Sequence, residues 1–217
     1  MKCPLCHFLD CIAFASAHGR DYFRCSRCEL TFVDPAQRPA PADEQAHYSL
    51  HQNDPNDPGY RRFLDQLATP LCSRLNNNSE GLDFGCGPGP ALARMLEERG
   101  HKMWLYDPLY APDTTVLNRQ YDFVTCTEVV EHFHHPDRDM ATLTNLVKPG
   151  GWLAIMTSQL DDHIDFSRWH YARDPTHVCF YRERTFQWLV AQHALTMAAR
   201  QDNVTLMRRN NEGGVTG

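Results

Sequence analysis

The sequence predicts an α/β fold: a doubly wound, mostly parallel sheet closed by an antiparallel hairpin, with a small metal-held module in front of it. Three observations predict this. Strand-length apolar runs alternate with runs of helical period over residues 60–210. A glycine loop, Gly85-Cys86-Gly87-Pro88-Gly89, stands between one of those strands and the helix after it. Two Cys-x-x-Cys pairs, Cys3/Cys6 and Cys25/Cys28, occupy residues 1–34 with eighteen residues between them. The chain has 217 residues, 42% of them hydrophobic, enough for one medium domain with an appendage and too apolar for a disordered chain.

The elements follow in order. Residues 1–34 read as a zinc-ribbon-like module. Tyr22–Arg24 and Leu30–Val33 are short strands, and about thirty residues cannot bury a sufficient core alone. Two Cys-x-x-Cys knuckles each place two thiolates on one side of a tetrahedron, so Cys3, Cys6, Cys25 and Cys28 are the expected ligands of a structural Zn2+. His7 and Cys11 are spare groups nearby. Residues 35–59, with Pro35, Pro39, Pro41, Pro55 and Pro58, read as linker. The part HYSLHQNDPNDPGY is either a solvated turn cluster or a loop that closes over a ligand, with Tyr48 a candidate substrate contact. Tyr60, Phe63, Leu64, Leu67 and Leu71 fall at helical spacing. Gly81–Phe84 is a strand, Pro90–Arg99 a helix with Pro90 at its first position, and His101–Tyr106 the next strand. Tyr121–Thr125 is a strand, a helix begins at about Pro136, and Lys148–Gly151 is a turn before the strand Trp152–Thr157. Thr185–Gln192 is a helix. Ala194–Arg200 and Asn203–Arg209 form the closing hairpin, and residues 211–217 form a disordered tail.

The formal charge of −6 works against indiscriminate binding to nucleic acid or acidic membranes. No apolar run approaches the ~20 residues of a membrane span. The first residues, MKCPLCHFLD, show no charged-then-apolar signal pattern. The expected compartment is the cytoplasm, where the nine cysteines stay reduced and read as ligands or core residues before disulfides.

A glycine loop after a parallel strand sits at the sheet's carboxyl edge, where such sheets bind ligands. Asp107 lies 22 residues after Gly85, at the end of the second strand of this fold. A carboxylate there accepts hydrogen bonds from ribose hydroxyls, which favours an adenosyl or nucleotide ligand. The spacing G-x-G-x-G is not that of a dinucleotide site, and no lysine follows to make a phosphate loop. Asp83 would repel a pyrophosphate but suits a ligand carrying an amino group and a sulfonium.

LDFGCGPG, YDP, YDFVTCTEVVEHF and LVKPGGWLAIMT together resemble the class I S-adenosylmethionine-dependent methyltransferases, in order and spacing, over residues 60–210. The resemblance implies a Rossmann-like sheet and S-adenosyl-L-methionine as cofactor. It places Asp83, Gly85, Cys86, Gly87 and Gly89 against the methionine and ribose parts. Tyr106, Asp107 and Pro108 end the second strand, with Asp107 on the ribose hydroxyls, and Cys126, Thr127 and Glu128 line the cofactor pocket. Cys86 is expected to be a small side chain under the cofactor rather than a nucleophile. One departure stands out: thirteen residues separate Asp107 from Tyr121, where the family fits a helix and a third strand. Val116 and Leu117 are candidates for a truncated strand, and Asp113 for the adenine-side acid.

Methyl transfer needs alignment of the acceptor, and a base only where the acceptor keeps a proton. The candidates are His177, His132 and Glu131; Glu131-His132 resembles the EH pair of small-molecule methyltransferases. Trp169, His170 and Tyr171, in the stretch where the family builds its acceptor pocket, are candidate substrate contacts. Asp174 is a candidate to orient His177. The expected partner is a small-molecule methyl acceptor at O or C. Arg20, Arg24 and Arg27 on the ribbon leave RNA or protein as an alternative, disfavoured for RNA by net charge, and a non-catalytic cofactor-binding module as another.

Overall fold

The computed structural model describes residues 1–48 and 54–211. The expectations for residues 49–53 of the proline-rich loop and 212–217 of the tail lie outside them. The chain forms two compact units. One, the ribbon unit, is Met1–Leu50, Glu128–Met140 and Thr157–Leu189; the other, the sheet unit, is His51–Thr127, Ala141–Met156 and Val190–Gly217.

The sheet unit holds strands β4 (Glu80–Phe84), β5 (Lys102–Tyr106), β6 (Tyr121–Thr127), β7 (Val147–Met156), β9 (Leu195–Gln201) and β10 (Val204–Arg209). They lie in the order β5-β4-β6-β7-β10-β9. The first four run parallel, and β10 is antiparallel to both β7 and β9, which is the expected closing hairpin. Helix α2 (Pro58–Cys72) starts where a start signal is complete: the Asp57 carboxylate accepts the Tyr60 N–H, and Pro58 needs no partner. Its apolar stripe, Leu64, Leu67, Ala68 and Leu71, packs with Leu92, Met95 and Leu96 of α3 (Ala91–Glu98) into one core with Phe123, Ala154 and Leu206. Each such leucine contributes about 1.5–3 kcal/mol by leaving water. Gly81 is required in β4, because a Cβ there would stand 2.2 Å from the Phe123 ring.

Three details differ from the sequence reading. Pro90 caps α3 from outside rather than opening it. The Lys148–Gly151 segment lies inside β7 as an irregularity in its pairing with β6, with Gly150 at φ 76°, rather than as a separate turn. The proposed truncated strand is a short 3-10 helix, Thr114–Asn118, and Asp113 is its cap, accepting the Thr115 N–H. Among the described residues the sheet therefore ends at β5.

In the ribbon unit, β1 (Cys11–Ala17), β2 (Arg20–Cys25), β3 (Thr31–Val33) and β8 (Cys179–Phe180) form a second sheet in that order. The N-terminal ribbon is thus not self-contained: its third strand pairs, Thr31 with Phe180 and Phe32 with Cys179, with a segment far along the chain. Tyr22, Phe32 and Phe180 are fully buried there. The region read as linker carries a helix, α1 (Pro41–Tyr48). Helices α4 (Pro136–Leu146) and α5 (Glu183–Gln192) follow β6 and β8 in the chain. No described helix is long and apolar enough to cross a membrane.

Candidate functional site

In the sheet unit the chain leaves β4 at its carboxyl end and turns at Gly85 (φ 79°) and Gly87 (φ 64°), a left-handed backbone that a side chain disfavours. The Tyr106 carbonyl accepts the Gly85 and Cys86 N–H groups at 2.7 and 3.2 Å, and the Asp107 carboxylate accepts the Gly87 N–H at 3.0 Å. The other Asp107 oxygen accepts the Leu109 and Tyr110 N–H groups at 2.8 and 3.1 Å. Asp107 thus ties the end of β5 to the glycine loop, and its Oδ2, which takes only the Gly87 N–H, has capacity for a further donor. Gly89 accepts the Ala91 N–H at the entry to α3, Tyr106 tilts against Phe84, and Pro108 is exposed.

Beneath the loop, Asp83 is 4% exposed and accepts the Thr125 hydroxyl at 2.7 Å. Burial pushes its carboxyl up to about 6, with the charge of Asp107 adding to the effect. Burial likewise pushes the Cys86 thiol up to about 12, so at neutral pH it is no nucleophile. Cys126 is fully buried, and the buried Thr127 hydroxyl has no hydrogen-bond partner. These residues fit S-adenosylmethionine on two counts: a buried carboxylate that gains from a cationic amino group, and an orphaned hydroxyl at the carboxyl end of β6. A cleft of about 310 Å³ lined by Asn76–Ser79, Asp122 and Lys148–Trp152 lies at the opposite, amino-terminal edge of this sheet.

In the ribbon unit a second constellation forms. Glu131 is fully buried; one of its oxygens accepts the Thr157 hydroxyl at 3.0 Å and the other has no partner. The Tyr171 hydroxyl stands 2.9 Å from Thr157. His132 meets the Thr176 carbonyl through Nδ1 at 3.1 Å, and His177 meets the Tyr171 carbonyl through Nδ1 at 2.7 Å. A carbonyl only accepts, so both Nδ1 atoms carry a proton, and in the neutral tautomer this fixes, Nε2 presents the lone pair. Burial holds His177 below the usual imidazole range. The two imidazoles are 4.7 Å apart, and the Tyr48 ring stands edge-on to His132 at 5.2 Å. Glu128 adopts φ 53° and has a buried oxygen without a partner; burial and Glu131 push it up to about 8.

The structure gathers Glu131, His132, His177, Tyr171 and Tyr48. It leaves His170 exposed, while Trp169 packs on Tyr171 at 5.1 Å as well as on Phe166 and Phe180 in the aromatic core. Asp174 does not orient His177: it binds the Thr176 N–H and hydroxyl and His47, and stays 3.8 Å from His177 Nε2. The sequence reading missed Thr157, whose place just after a parallel strand was a usable signal. It also misjudged Arg20, which is buried and donates to the carbonyls of Ala172, Asp174, Pro175 and His177. Nothing local in the sequence marks that role.

The four ribbon thiols also converge. Cys3 and Cys28 sulfurs are 3.6 Å apart, Cys6 and Cys25 3.4 Å, and all four lie within 4.8 Å of one another. Both knuckles share one geometry: the His7 N–H donates to the Cys3 carbonyl and the Glu29 N–H to the Cys25 carbonyl, with His7 at φ 59° and Glu29 at φ 57°. Sulfurs held tetrahedrally at 2.3 Å from zinc stand about 3.8 Å apart, so the donor set fits that ion. His7 pairs with Asp137, and the Cys11 sulfur reaches the Phe8 carbonyl.

A model of the methyltransferase domain matches residues 51–199. Ubiquinone biosynthesis O-methyltransferase of Leptothrix cholodnii is 34% identical, over 35% of this chain and 43% of that protein. The enzyme of the same name from Shewanella pealeana is 29% identical, over 42% of this chain and 39% of that protein. The chain spans less than half the length of these curated relatives. Among solved structures, the 1,6-didemethyltoxoflavin-N1-methyltransferase of Burkholderia thailandensis, with its acceptor and S-adenosylhomocysteine bound, aligns over 92% of this chain and 99% of that one. The TM-score is 0.56 and the identity 17%, a likeness of fold. CalO1, a methyltransferase in calicheamicin biosynthesis, aligns over 78% of this chain and 58% of that one with a TM-score of 0.51 and 13% identity. The family model spans well over half of the sequence, and the strands, glycine loop and paired aspartates it covers are those described above: this chain belongs to the methyltransferase-domain family of S-adenosylmethionine-dependent enzymes.

Proposed function

We propose that this protein transfers a methyl group from S-adenosylmethionine to an oxygen or carbon of a small-molecule acceptor. The observation that carries the reading is the glycine loop, closed by Asp107 and underlain by the buried Asp83. The cofactor, when bound, supplies an activated methyl on sulfur. Asp107 accepts a ribose hydroxyl on Oδ2, Asp83 receives the amino group, and Thr127 a polar atom of the ligand. Cys126, Thr127 and Glu128 lie on the cofactor side, and Glu131 and His132 follow shortly after them in the chain.

On the acceptor side, His177 and His132 meet a hydroxyl with imidazole lone pairs, and His177 can take its proton. Tyr171 and Tyr48 flank these rings, Trp169 packs on Tyr171, and His170 is exposed beside it. A small-molecule acceptor is supported by the names of the ubiquinone O-methyltransferase relatives. It is also supported by the ribbon arginines: Arg20 is spent on carbonyls, Arg24 lies over Phe14 and Arg27 over Phe8. The four thiols hold one structural Zn2+, and reduced thiolates suit the cytoplasm.

Calorimetric titration with S-adenosylmethionine and S-adenosylhomocysteine tests the cofactor site. Micromolar affinity, about 7–8 kcal/mol, is expected, and Asp107→Ala weakens it about 30-fold. No binding by the wild type, or unchanged binding by the variant, refutes it. A cofactor-coupled screen of small-molecule fractions, with nuclease and protease controls, tests the acceptor class; activity abolished by either hydrolase overturns it.

A further inference from the structure

We propose that Glu131, His132 and His177 hold a divalent transition-metal cation, distinct from the ion of the four thiols, and that this cation carries the acceptor oxygen. One donor atom from each of the three lies within 4.8 Å of the others. Donors on one ion at about 2.1 Å stand at most about 4.2 Å apart, so the cluster closes on a cation with movements below about 1 Å.

Three features go beyond proximity. The first is the orphaned oxygen of Glu131, a carboxylate that is fully buried and whose other oxygen alone is satisfied, by Thr157. A buried carboxylate oxygen without a partner is costly, and a cation removes the cost. The second is the orientation of the two rings. Each donates its Nδ1–H to a backbone carbonyl, Thr176 for His132 and Tyr171 for His177, which fixes the tautomer with Nε2 free. That is the outer-shell arrangement by which metal-binding histidines are held. The third is the frame: Arg20 clamps four carbonyls of residues 172–177, and the Val178 N–H donates to the Glu131 carbonyl. The segment bearing His177 is thereby fastened to the segment bearing Glu131 and His132.

Two imidazoles and one carboxylate suit Zn2+, Mn2+, Fe2+ or Co2+ better than Mg2+ or Ca2+, which prefer oxygen alone. Three protein ligands leave coordination positions open. This use of the site rests on the methyltransferase reading above. An acceptor hydroxyl bound there loses its proton to water under the pull of the cation. Its oxygen then forms the bond to the methyl carbon, and the pair of the broken carbon–sulfur bond stays on sulfur. With the cation bound, the imidazole lone pairs are committed to the metal and water takes the proton; without it, His177 is the proton acceptor, as above.

The test begins with full-length protein carrying one equivalent of Zn2+ on its thiols. Mn2+, and separately further Zn2+, is titrated by calorimetry, with Mn2+ also followed by loss of its free-ion electron paramagnetic resonance signal. One additional cation per chain is expected, bound at least tenfold more weakly by Glu131→Gln and by His132→Ala while the first zinc is retained. His132 is only partly buried, so His132→Ala decides the matter where Glu131→Gln does not fold. A wild type that takes up neither Mn2+ nor a second Zn2+ overturns the proposal, as does a folded His132→Ala that binds the second cation unchanged. S-adenosylhomocysteine binding is measured in parallel. Cation uptake without it leaves the cluster standing and removes the methyltransferase reading, and the converse result does the reverse.

Discussion

The two units build their sites from different materials. In the sheet unit the glycine loop is shaped mostly by backbone: two glycines at positive φ, N–H groups gathered on the Tyr106 carbonyl, and one aspartate whose oxygens take three further N–H groups. In the ribbon unit the clusters are side chain: four thiols, two imidazoles and the Glu131 carboxylate, drawn from an N-terminal segment and two internal ones. A backbone site tolerates changes of side chain and fails when the backbone cannot turn. A side-chain site fails one residue at a time, and its frame should fail when the zinc proposed for the thiols is removed.

The largest effect should come from that frame. Treatment with a chelator, or Cys25→Ser, should take away the zinc proposed for the four thiols, and binding of such an ion contributes about 10 kcal/mol or more to folding of such modules. Because β3 pairs with β8, the loss should reach residues 171–180 and not stop at residue 34. Hydrogen exchange checks this: protection should vanish from β1, β2, β3 and β8. A metal-free protein with those amides still protected breaks the idea.

Next is Gly87→Val. At φ 64° a β-branched residue is strained by about 1–3 kcal/mol, and the N–H bound by Asp107 shifts. S-adenosylhomocysteine binding should fall below detection by calorimetry, with a melting temperature lowered by only a few degrees. Binding within tenfold of the wild type would show that the loop is not held by its backbone.

Asp83 shows that even the sheet unit depends on one side chain. Its carboxyl, raised to about 6 from an unfolded value near 3.9, is destabilising when ionised. The cost is absent below about pH 4 and complete above about pH 6, so this group's contribution lowers stability as pH rises through that window. Asp83→Asn, keeping the Thr125 contact, should raise unliganded stability at pH 7.5 by about 3 kcal/mol, since two pKa units are worth about that. It should also weaken cofactor binding more than tenfold. Denaturant melts at pH 4 and 7.5 measure the first part; a variant no more stable than the wild type at pH 7.5 removes the argument.

The same contrast explains what was legible in the sequence. The sheet, its hairpin and the glycine loop were readable because periodicity and glycine spacing are local signals, and the paired cysteines because ligand spacing is local too. Strand β1 and helix α1 were not, since α1 follows a run of prolines and β1 lacks clean alternation. Arg20 and the β3–β8 pairing join residues about 150 positions apart, and no window of sequence records that. Glu131, His132 and His177 were found singly, as candidate bases. That one donor atom from each of the three comes within 4.8 Å of the others is a property of the fold.

The smallest effect should come from Cys86, the one reactive-looking group in the backbone-built site. Its sulfur is 3.6 Å from the Gly87 carbonyl, the side chain is 9% exposed, and burial beside Asp83 and Asp107 keeps the thiol protonated. A methyl leaving sulfur for an acceptor needs no thiolate here, so the residue contributes bulk and little else. Cys86→Ala removes one sulfur atom from a loop whose shape is set by Gly85, Gly87 and Asp107. Cofactor affinity and turnover should stay within a factor of about three, a difference below 1 kcal/mol. Iodoacetamide at pH 7.5 should leave Cys86 unmodified in the folded protein, read by peptide mass, because only the thiolate reacts. A drop in turnover beyond about a hundredfold with cofactor binding intact would mean that the loop works through a side chain after all, and the contrast between the two units would have to be redrawn.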